Sequence, residues 1–332
     1  MKKIFALILL LMLLAGIIAA QGWRTYQQFL AQPLQVPAAG AVFNVDAGMS
    51  VKAVVGRLAE LGITRDDWRW RVLLRLQPRI VKTGEYRLDP GITPPDLLDK
   101  LERGDVITYR FTLVEGWTFA QLRSALGADP ILGATLPAAE SGAFPEATAL
   151  GLEHPEGWFL PETYVFTRKD QAADILRRSH EAMQAALAEA WSAKSPDTPL
   201  ESPYQLLILA SIIEKETALN EERAQVSGVF VRRLQKGMRL QTDPTVIYGM
   251  GEGFDGDIRR KDLLADTAYN TYTRDGLPPT PIAMPGRASL MAAAQPAPGE
   301  SLYFVANGDG GHTFSTTLEE HQRAVNKLLG KD

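Results

Sequence analysis

Two glutamates close the most apolar stretch in the middle of the chain: Leu206-Leu207-Ile208-Leu209-Ala210-Ser211-Ile212-Ile213 runs directly into Glu214-Lys215-Glu216-Thr217. With successive residues about 100° apart around a helix, Glu216 projects between Leu209 and Ile212, while Glu214 projects near Leu207 and Ala210 on the opposite side. A carboxyl on the most apolar stripe of a buried helix has its ionised form disfavoured, so its pKa rises. That is the condition under which a glutamate serves as a general acid near neutral pH. Pairing of Glu216 with Arg223 is the competing reading and would make the residue structural. A second kind of chemistry is offered by Arg239-Leu240-Gln241-Thr242-Asp243-Pro244-Thr245-Val246-Ile247-Tyr248 and by Ala268-Tyr269-Asn270-Thr271-Tyr272. Both blocks put short hydrogen-bonding side chains into a turn beside aromatic rings. Aromatic faces stack on the C–H faces of sugars, and amides and hydroxyls pair with sugar hydroxyls. Either block taken alone is equally open to a plainer reading, turn chemistry with core tyrosines.

Other chemistries are excluded by what the chain lacks. With no Cys there is no disulfide, thiol nucleophile or Cys-type zinc site. The four His (His154, His180, His312, His321) are scattered, without HxH or HExxH spacing, and no metal or other cofactor is expected. Gly308 to Thr313 is Gly-rich but lacks the Lys and the strand-to-helix setting of a phosphate loop. Across 332 residues, 35 basic and 39 acidic side chains leave a net charge of −4, which argues against a nucleic-acid partner. An apolar fraction of 45% with 22% charged residues is that of a folded chain, long enough for two domains.

The elements that must position these residues follow from periodicity and punctuation. Ser202-Pro203-Tyr204-Gln205 starts the apolar helix, with Ser202 as cap, Pro203 in the first turn and Gln205 completing a capping box. A second helix is expected from an Asn220 cap to about Gly237, burying Val226, Val229, Phe230 and Leu234. Gly276-Leu277-Pro278-Pro279-Thr280-Pro281-Ile282 is too Pro-rich for a helix or sheet interior, and Leu302–Val305 reads as a strand. Upstream, Ala172–Trp191 is helical by pattern, Val106–Val114 is a strand, and Ala128–Gly151 is irregular. Residues 41–105 alternate short strands (Ala41–Val45, Gly84–Leu88) with helices (Val51–Leu61, Trp68–Leu76, Pro95–Arg103), a small α+β module. Residues 24–40 show no sustained period and read as a tether. Met1-Lys2-Lys3 precedes seventeen apolar residues, Ile4–Ala20, near the lower limit for a membrane helix. The two lysines keep the N-terminus in the cytoplasm and place the remainder outside. A signal-peptide cut after Ala20 would put bulky Ile18 at −3, so a retained single-pass anchor over residues 1–23 is the reading adopted.

In combination these blocks resemble the YceG-like family, the endolytic murein transglycosylases. The resemblance is carried by Ile213-Glu214-Lys215-Glu216-Thr217, Met238–Tyr248, Tyr269-Asn270-Thr271-Tyr272, Gly276-Leu277-Pro278-Pro279, the Tyr303-Phe304-Val305 strand with Gly311-His312-Thr313-Phe314, and upstream Glu115-Gly116 and Gly157-Trp158-Phe159 with Pro161. It extends over roughly residues 41–325.

The resemblance implies an α+β protein with an N-terminal membrane helix, a LysM-like subdomain over 41–105 and a larger catalytic domain over 106–330. It implies a lyase of the bacterial cytoplasmic membrane, acting on the outer side of that membrane on peptidoglycan glycan strands, with peptidoglycan synthases as partners. The cut falls between N-acetylmuramic acid and N-acetylglucosamine within nascent strands, leaves 1,6-anhydro ends and terminates elongation. Glu216 is then the one acid and base. Glu214, Gln241, Thr242, Asp243, Tyr248, Tyr269 and Asn270 are expected to contact glycan or to orient Glu216. Two alternatives are a non-catalytic wall-binding scaffold and a muramidase-type hydrolase that adds Asp243 as a second carboxylate.

Overall fold

The computed structural model describes residues 2–137 and 149–330. It is α+β, and it divides into two compact units: Met1–Tyr109 with Val165–Lys169, and Arg110–Tyr164 with Asp170–Asp332.

The first unit begins with helix α1, Lys2–Ala31, about 45 Å long at 1.5 Å per residue. Its apolar side chains from Ile4 to Ile18 are exposed, and by length and composition the helix could cross a bilayer. The expected tether at 24–40 is corrected here. The helix continues unbroken to Ala31, and Tyr26, Phe29 and Leu34 are buried in the unit's core. Tyr26 and Phe29, three residues apart, share one helix face, and Phe29 meets Trp70 edge-on at 5.3 Å. Two side chains give too little repetition for a period to register in the sequence, yet they are enough to dock a helix end.

Strand β1 (Ala41–Val45) pairs antiparallel with β2 (Gly84–Leu88), Phe43 opposite Tyr86. Between them lie α2 (Val51–Glu60), capped by Ser50, and α3 (Trp68–Leu76), capped by Asp67. Helix α4 (Pro94–Arg103) follows, with a capping box from Thr93 and Asp96 and a left-handed Gly104 as its stop. Phe43, Val54, Leu58, Leu73, Tyr86, Leu97 and Leu101 form the core of this unit.

Strand β3 is shorter than expected, Tyr109–Thr112, and pairs with β4 (Thr163–Phe166). The segment Val165–Lys169, more than fifty residues downstream of β3, belongs to the first unit. There Arg168 and Tyr109 both donate to the buried carboxyl of Glu85, at 2.8 and 2.5 Å. A boundary at 105/106 therefore gives way to one at 109/110 with a return excursion, because a contact between distant segments leaves no mark on local composition.

In the second unit, α5 (Phe119–Ala128) is capped by Thr118 and Gln121. Of the stretch expected to be irregular, Gly133–Thr135 makes one tight turn, and residues 138–148 lie outside the described residues. Helices α6 (Ala172–Ser192), α7 (Pro203–Glu216), α8 (Asn220–Gln235) and, further on, α11 (Arg287–Ala294) surround the main core. Every residue of α7 from Leu206 to Ile213 is buried, as its all-round apolar sequence requires. Ser202 caps α7 through Gln205 N at 3.2 Å, but Gln205 reaches back to Glu201 N, so only half of the expected box forms. Asn220 is the first residue of α8 rather than its cap, and its side chain accepts from Arg223 instead. The remaining helices are α9 (Asp243–Met250), α10 (Arg260–Leu264) and α12 (Leu318–Leu328). Strands β5 (Tyr303–Ala306) and β6 (His312–Ser315) form an antiparallel hairpin.

Candidate active site

Helix α7 ends at Glu216, and its two glutamates meet different neighbours. Glu214 is buried with Arg223: the guanidinium Nη2 lies 3.4 Å from Oε1, and the two side chains are 5% and 6% exposed. Its other oxygen accepts from Gly286 N at 2.9 Å. Arg223 also donates to Ser289 Oγ at 3.1 Å, and Glu115 lies 3.9 Å away. Arg223 thus pairs with Glu214, and the alternative in which it neutralises Glu216 is removed.

Glu216 is only partly open to solvent. It accepts a hydrogen bond from Thr242 Oγ1, and burial pushes its pKa up from 4.5 to about 7. The Thr242 donor works against that rise, nearby Asp243 adds to it, and His312 opposes it. A carboxyl raised in this way has both its protonated and its ionised form within reach near neutral pH, as one group that gives and then takes a proton requires.

The turn before α9 brings Thr242 and Asp243 to Glu216. Gln241 is the only described non-glycine residue with positive φ, at 51°, and its amide donates to Thr271 O at 3.2 Å. Buried Arg233 fastens the preceding residues by donating to Arg239 O and Leu240 O at 3.1 and 2.8 Å. Thr242 N donates to Thr271 Oγ1 at 3.1 Å, and the Thr245 hydroxyl bonds the same oxygen at 2.9 Å. Asp243 accepts from Tyr272 Oη at 2.6 Å. Burial and that carboxylate hold the Tyr272 phenol neutral, well above its ordinary range.

The other expected residues are placed differently. Asn270 is fully buried and cannot touch a ligand directly: its Nδ2 serves the carbonyls of Asp262, Leu263 and Ala265, and its Oδ1 takes Tyr272 N at 2.8 Å. It holds the loop that delivers Tyr272. Tyr269 bonds Thr280 at 2.9 Å and meets Tyr248 edge-on at 4.9 Å. Tyr248 turns to Glu156, donating at 3.1 Å. Glu156, 6% exposed, also accepts from Phe119 N at 3.0 Å, and burial pushes its pKa to about 7 as well. Sequence reasoning did not single it out, and it named Tyr272 only as part of the Ala268–Tyr272 block. The one signal for Glu156 is the residue after it. Gly157 sits at φ 82°, and a Cβ there would come within 2.5 Å of Pro281, so the Glu-Gly pair is fixed by close packing.

Among the described residues, no three His, Asp or Glu side chains gather as metal ligands. The site is thus a partly buried carboxyl that accepts from the Thr242 hydroxyl, with Asp243 and its Tyr272 partner nearby, at the C-terminal end of a core helix in an α+β protein.

Comparisons with known proteins agree with that class. The YceG-like family model matches residues 43–327, and the chain belongs to that family. A protein of Bacillus subtilis named endolytic murein transglycosylase is 28% identical, over 92% of this chain and 89% of its own length. A Streptococcus pneumoniae protein of the same name is 24% identical over 96% of this chain, which spans 64% of that longer relative. The crystal structure of a YceG-like protein from Listeria monocytogenes aligns with a TM-score of 0.52 at 30% identity, covering 86% of this chain and 98% of the other.

Proposed function

We propose that this protein is an endolytic murein transglycosylase, a lyase that cuts peptidoglycan strands between N-acetylmuramic acid and N-acetylglucosamine, with Glu216 as sole acid and base. The observation that carries the reading is the surroundings of Glu216: a carboxyl at about 7 that, among the described residues, forms no salt bridge and accepts from the Thr242 hydroxyl. Protonated Glu216 gives its proton to the glycosidic oxygen as the C1–O bond breaks. The resulting carboxylate takes the proton from the 6-hydroxyl of the same muramoyl residue, whose oxygen closes on C1 as a 1,6-anhydro ring. Glu216 ends protonated again, and no water is consumed. Thr242 and Asp243 set its proton affinity. Gln241, Tyr248 and Tyr269 line the approach, and Glu214 and Asn270 hold the framework.

Family membership and the relatives' names support the reaction class. The exposed apolar helix supports a retained anchor with the N-terminus inside and the body outside the cytoplasmic membrane. We read the small α+β module over residues 41–105 as LysM-like. An enzyme fixed at the membrane would meet strands as they emerge from synthases and would end their elongation.

Asp243 favours one second reading, a hydrolase in which it activates water. Product ends separate the two. Mass analysis of glycan strands treated with the full-length protein in detergent should give 1,6-anhydro termini. Reducing termini would establish the hydrolase, and intact strands a wall-binding scaffold. N-terminal sequencing that began near Gln21 would remove the anchor.

A further inference from the structure

Helix α1 does not stop where its bilayer-length apolar run stops. It continues to Ala31, and its first buried side chains, Tyr26 and Phe29, lie only six and nine residues beyond Ala20. Trp23, just past the apolar run, is exposed, and indoles in that position settle at headgroup level. Phe29 stands six residues further on, about 9 Å at 1.5 Å per residue. Helix α3 packs on this stem. Trp70 meets Phe29 edge-on at 5.3 Å, and the Arg69 guanidinium lies 5.0 Å over the same ring. A helix is about 10–12 Å across, so α3 crosses the stem within one helix width of the level of Trp23. A flexible tether would let the first unit drift from the bilayer; an unbroken helix docked by its end holds it there.

The face that α3 leaves exposed differs in charge from the chain as a whole, whose net charge is −4. Trp70 and Leu73 are buried in the core, and at about 100° per residue Trp68, Arg71, Arg75 and Leu76 project on the opposite side. Trp68 is 45% exposed, Leu76 62%, and Ile80, just past the helix, 80%. Residues 68–84 contain Arg69, Arg71, Arg75, Arg79 and Lys82 and no acidic side chain. Arg69 is paired with Asp67, and Arg79 with Asp99 and Glu102. Arg71 and Arg75 have no ion-pair partner among the described residues. Exposed apolar side chains interleaved with unpaired arginines are what an interface with anionic headgroups selects: the indole and leucine enter the acyl-chain boundary while the guanidiniums meet phosphates. We infer that the exposed face of α3, with Ile80, rests on the anionic outer surface of the membrane that α1 crosses, so that the first unit is fixed against the bilayer rather than swung from it. The inference rests on α1 being a retained anchor. One crossing helix leaves rotation about its axis free, and a second lipid contact on the same rigid piece removes that freedom.

The chain has no Cys, so Leu76→Cys gives a single attachment point for a thiol-linked fluorophore on the full-length protein reconstituted into vesicles. Nitroxide lipids labelled at the headgroup should quench it at least about twofold more in vesicles containing phosphatidylglycerol than in phosphatidylcholine alone. Salt at 1 M, which cuts the Debye length to about 3 Å, should remove the difference. Adding Arg71→Gln and Arg75→Gln should bring quenching in the anionic vesicles down to the neutral value; both positions are exposed, so the fold is not at stake. Equal quenching in the two kinds of vesicle overturns the proposal, as does a difference that survives loss of the two arginines. A fluorophore untouched by lipid but shielded from aqueous iodide when glycan strands are added would assign the face to glycan and overturn it too. Flotation with the vesicles after an alkaline carbonate wash reports the anchor separately. Protein that floats without quenching loses this contact alone; protein that does not float loses the anchor, and the inference falls with it.

Discussion

The last turn of α7 presents a glutamate to Arg223 on one side and to Thr242 on the other, and the two sides treat the carboxyl in opposite ways. Towards Arg223 the Glu214 carboxyl has a buried guanidinium on one oxygen and the Gly286 N–H on the other, and Arg223 in turn donates to Ser289 Oγ. Towards Thr242 there is one hydroxyl donor and a second carboxylate, Asp243, so ionisation is opposed by burial and by like charge. Two residues of separation on a helix amount to about 200° of rotation, which is why neighbours in sequence meet unrelated surroundings. A paired buried charge contributes to the fold chiefly through the penalty for breaking it, whereas an unpaired carboxyl costs stability and gains reactivity.

The largest expected effect comes from Glu216→Gln. Turnover of glycan strands should fall by roughly 10²–10⁴-fold, the range for loss of general acid–base catalysis. The melting temperature should hold or rise slightly, because the neutral amide avoids the desolvation that the carboxylate suffers. Glu214→Ala should show the reverse balance. Leaving Arg223 buried without its partner should lower stability by about 3–5 kcal/mol, read by chemical denaturation, and activity should fall mainly through unfolding. Equal effects of the two substitutions on melting temperature would end the distinction between the two sides.

Glu156 sharpens the comparison, since its carboxyl is buried and raised without being placed at Glu216. A folded pKa of about 7 against an ordinary 4.5 means the folded form prefers the proton. Its stabilising contribution is then complete below about pH 4.5 and is lost as pH rises through 7, about 3 kcal/mol in all. Melting temperature measured from pH 4.5 to 8 should therefore fall less steeply in Glu156→Gln than in the wild type. Parallel profiles would refute the assignment.

The smallest effect is expected of Thr242→Val. The Thr242 hydroxyl stabilises the Glu216 carboxylate, so its loss should raise the pKa of that carboxyl and carry the alkaline limb of activity to higher pH. The cost in rate should be under about tenfold, the worth of one ordinary hydrogen bond. A limb that moved down would show that Thr242 bonds the protonated acid instead.

The sequence by itself determined the local elements and the residue to examine. Helix α7, its Ser202 cap, the stop at Gly104 and the β1–β2 module follow from caps, glycines and hydrophobic periods, which act within a few residues. The projection of Glu216 onto an apolar stripe was legible for the same reason, since helical phase is a local property. What only the tertiary structure decided is which partner each polar group receives. Arg223 could be written beside either glutamate, and it is the approach of Ser289, Asn220 and Gly286 that assigns it to Glu214. Asn270, placed by type among sugar ligands, is consumed by three backbone carbonyls of the preceding segment. Glu156 is bonded by Tyr248 across 92 residues of chain, and Glu222 by His312 across 90. A hydrogen bond depends on a few tenths of an ångström in the final packing, and no propensity or period carries that information along the chain.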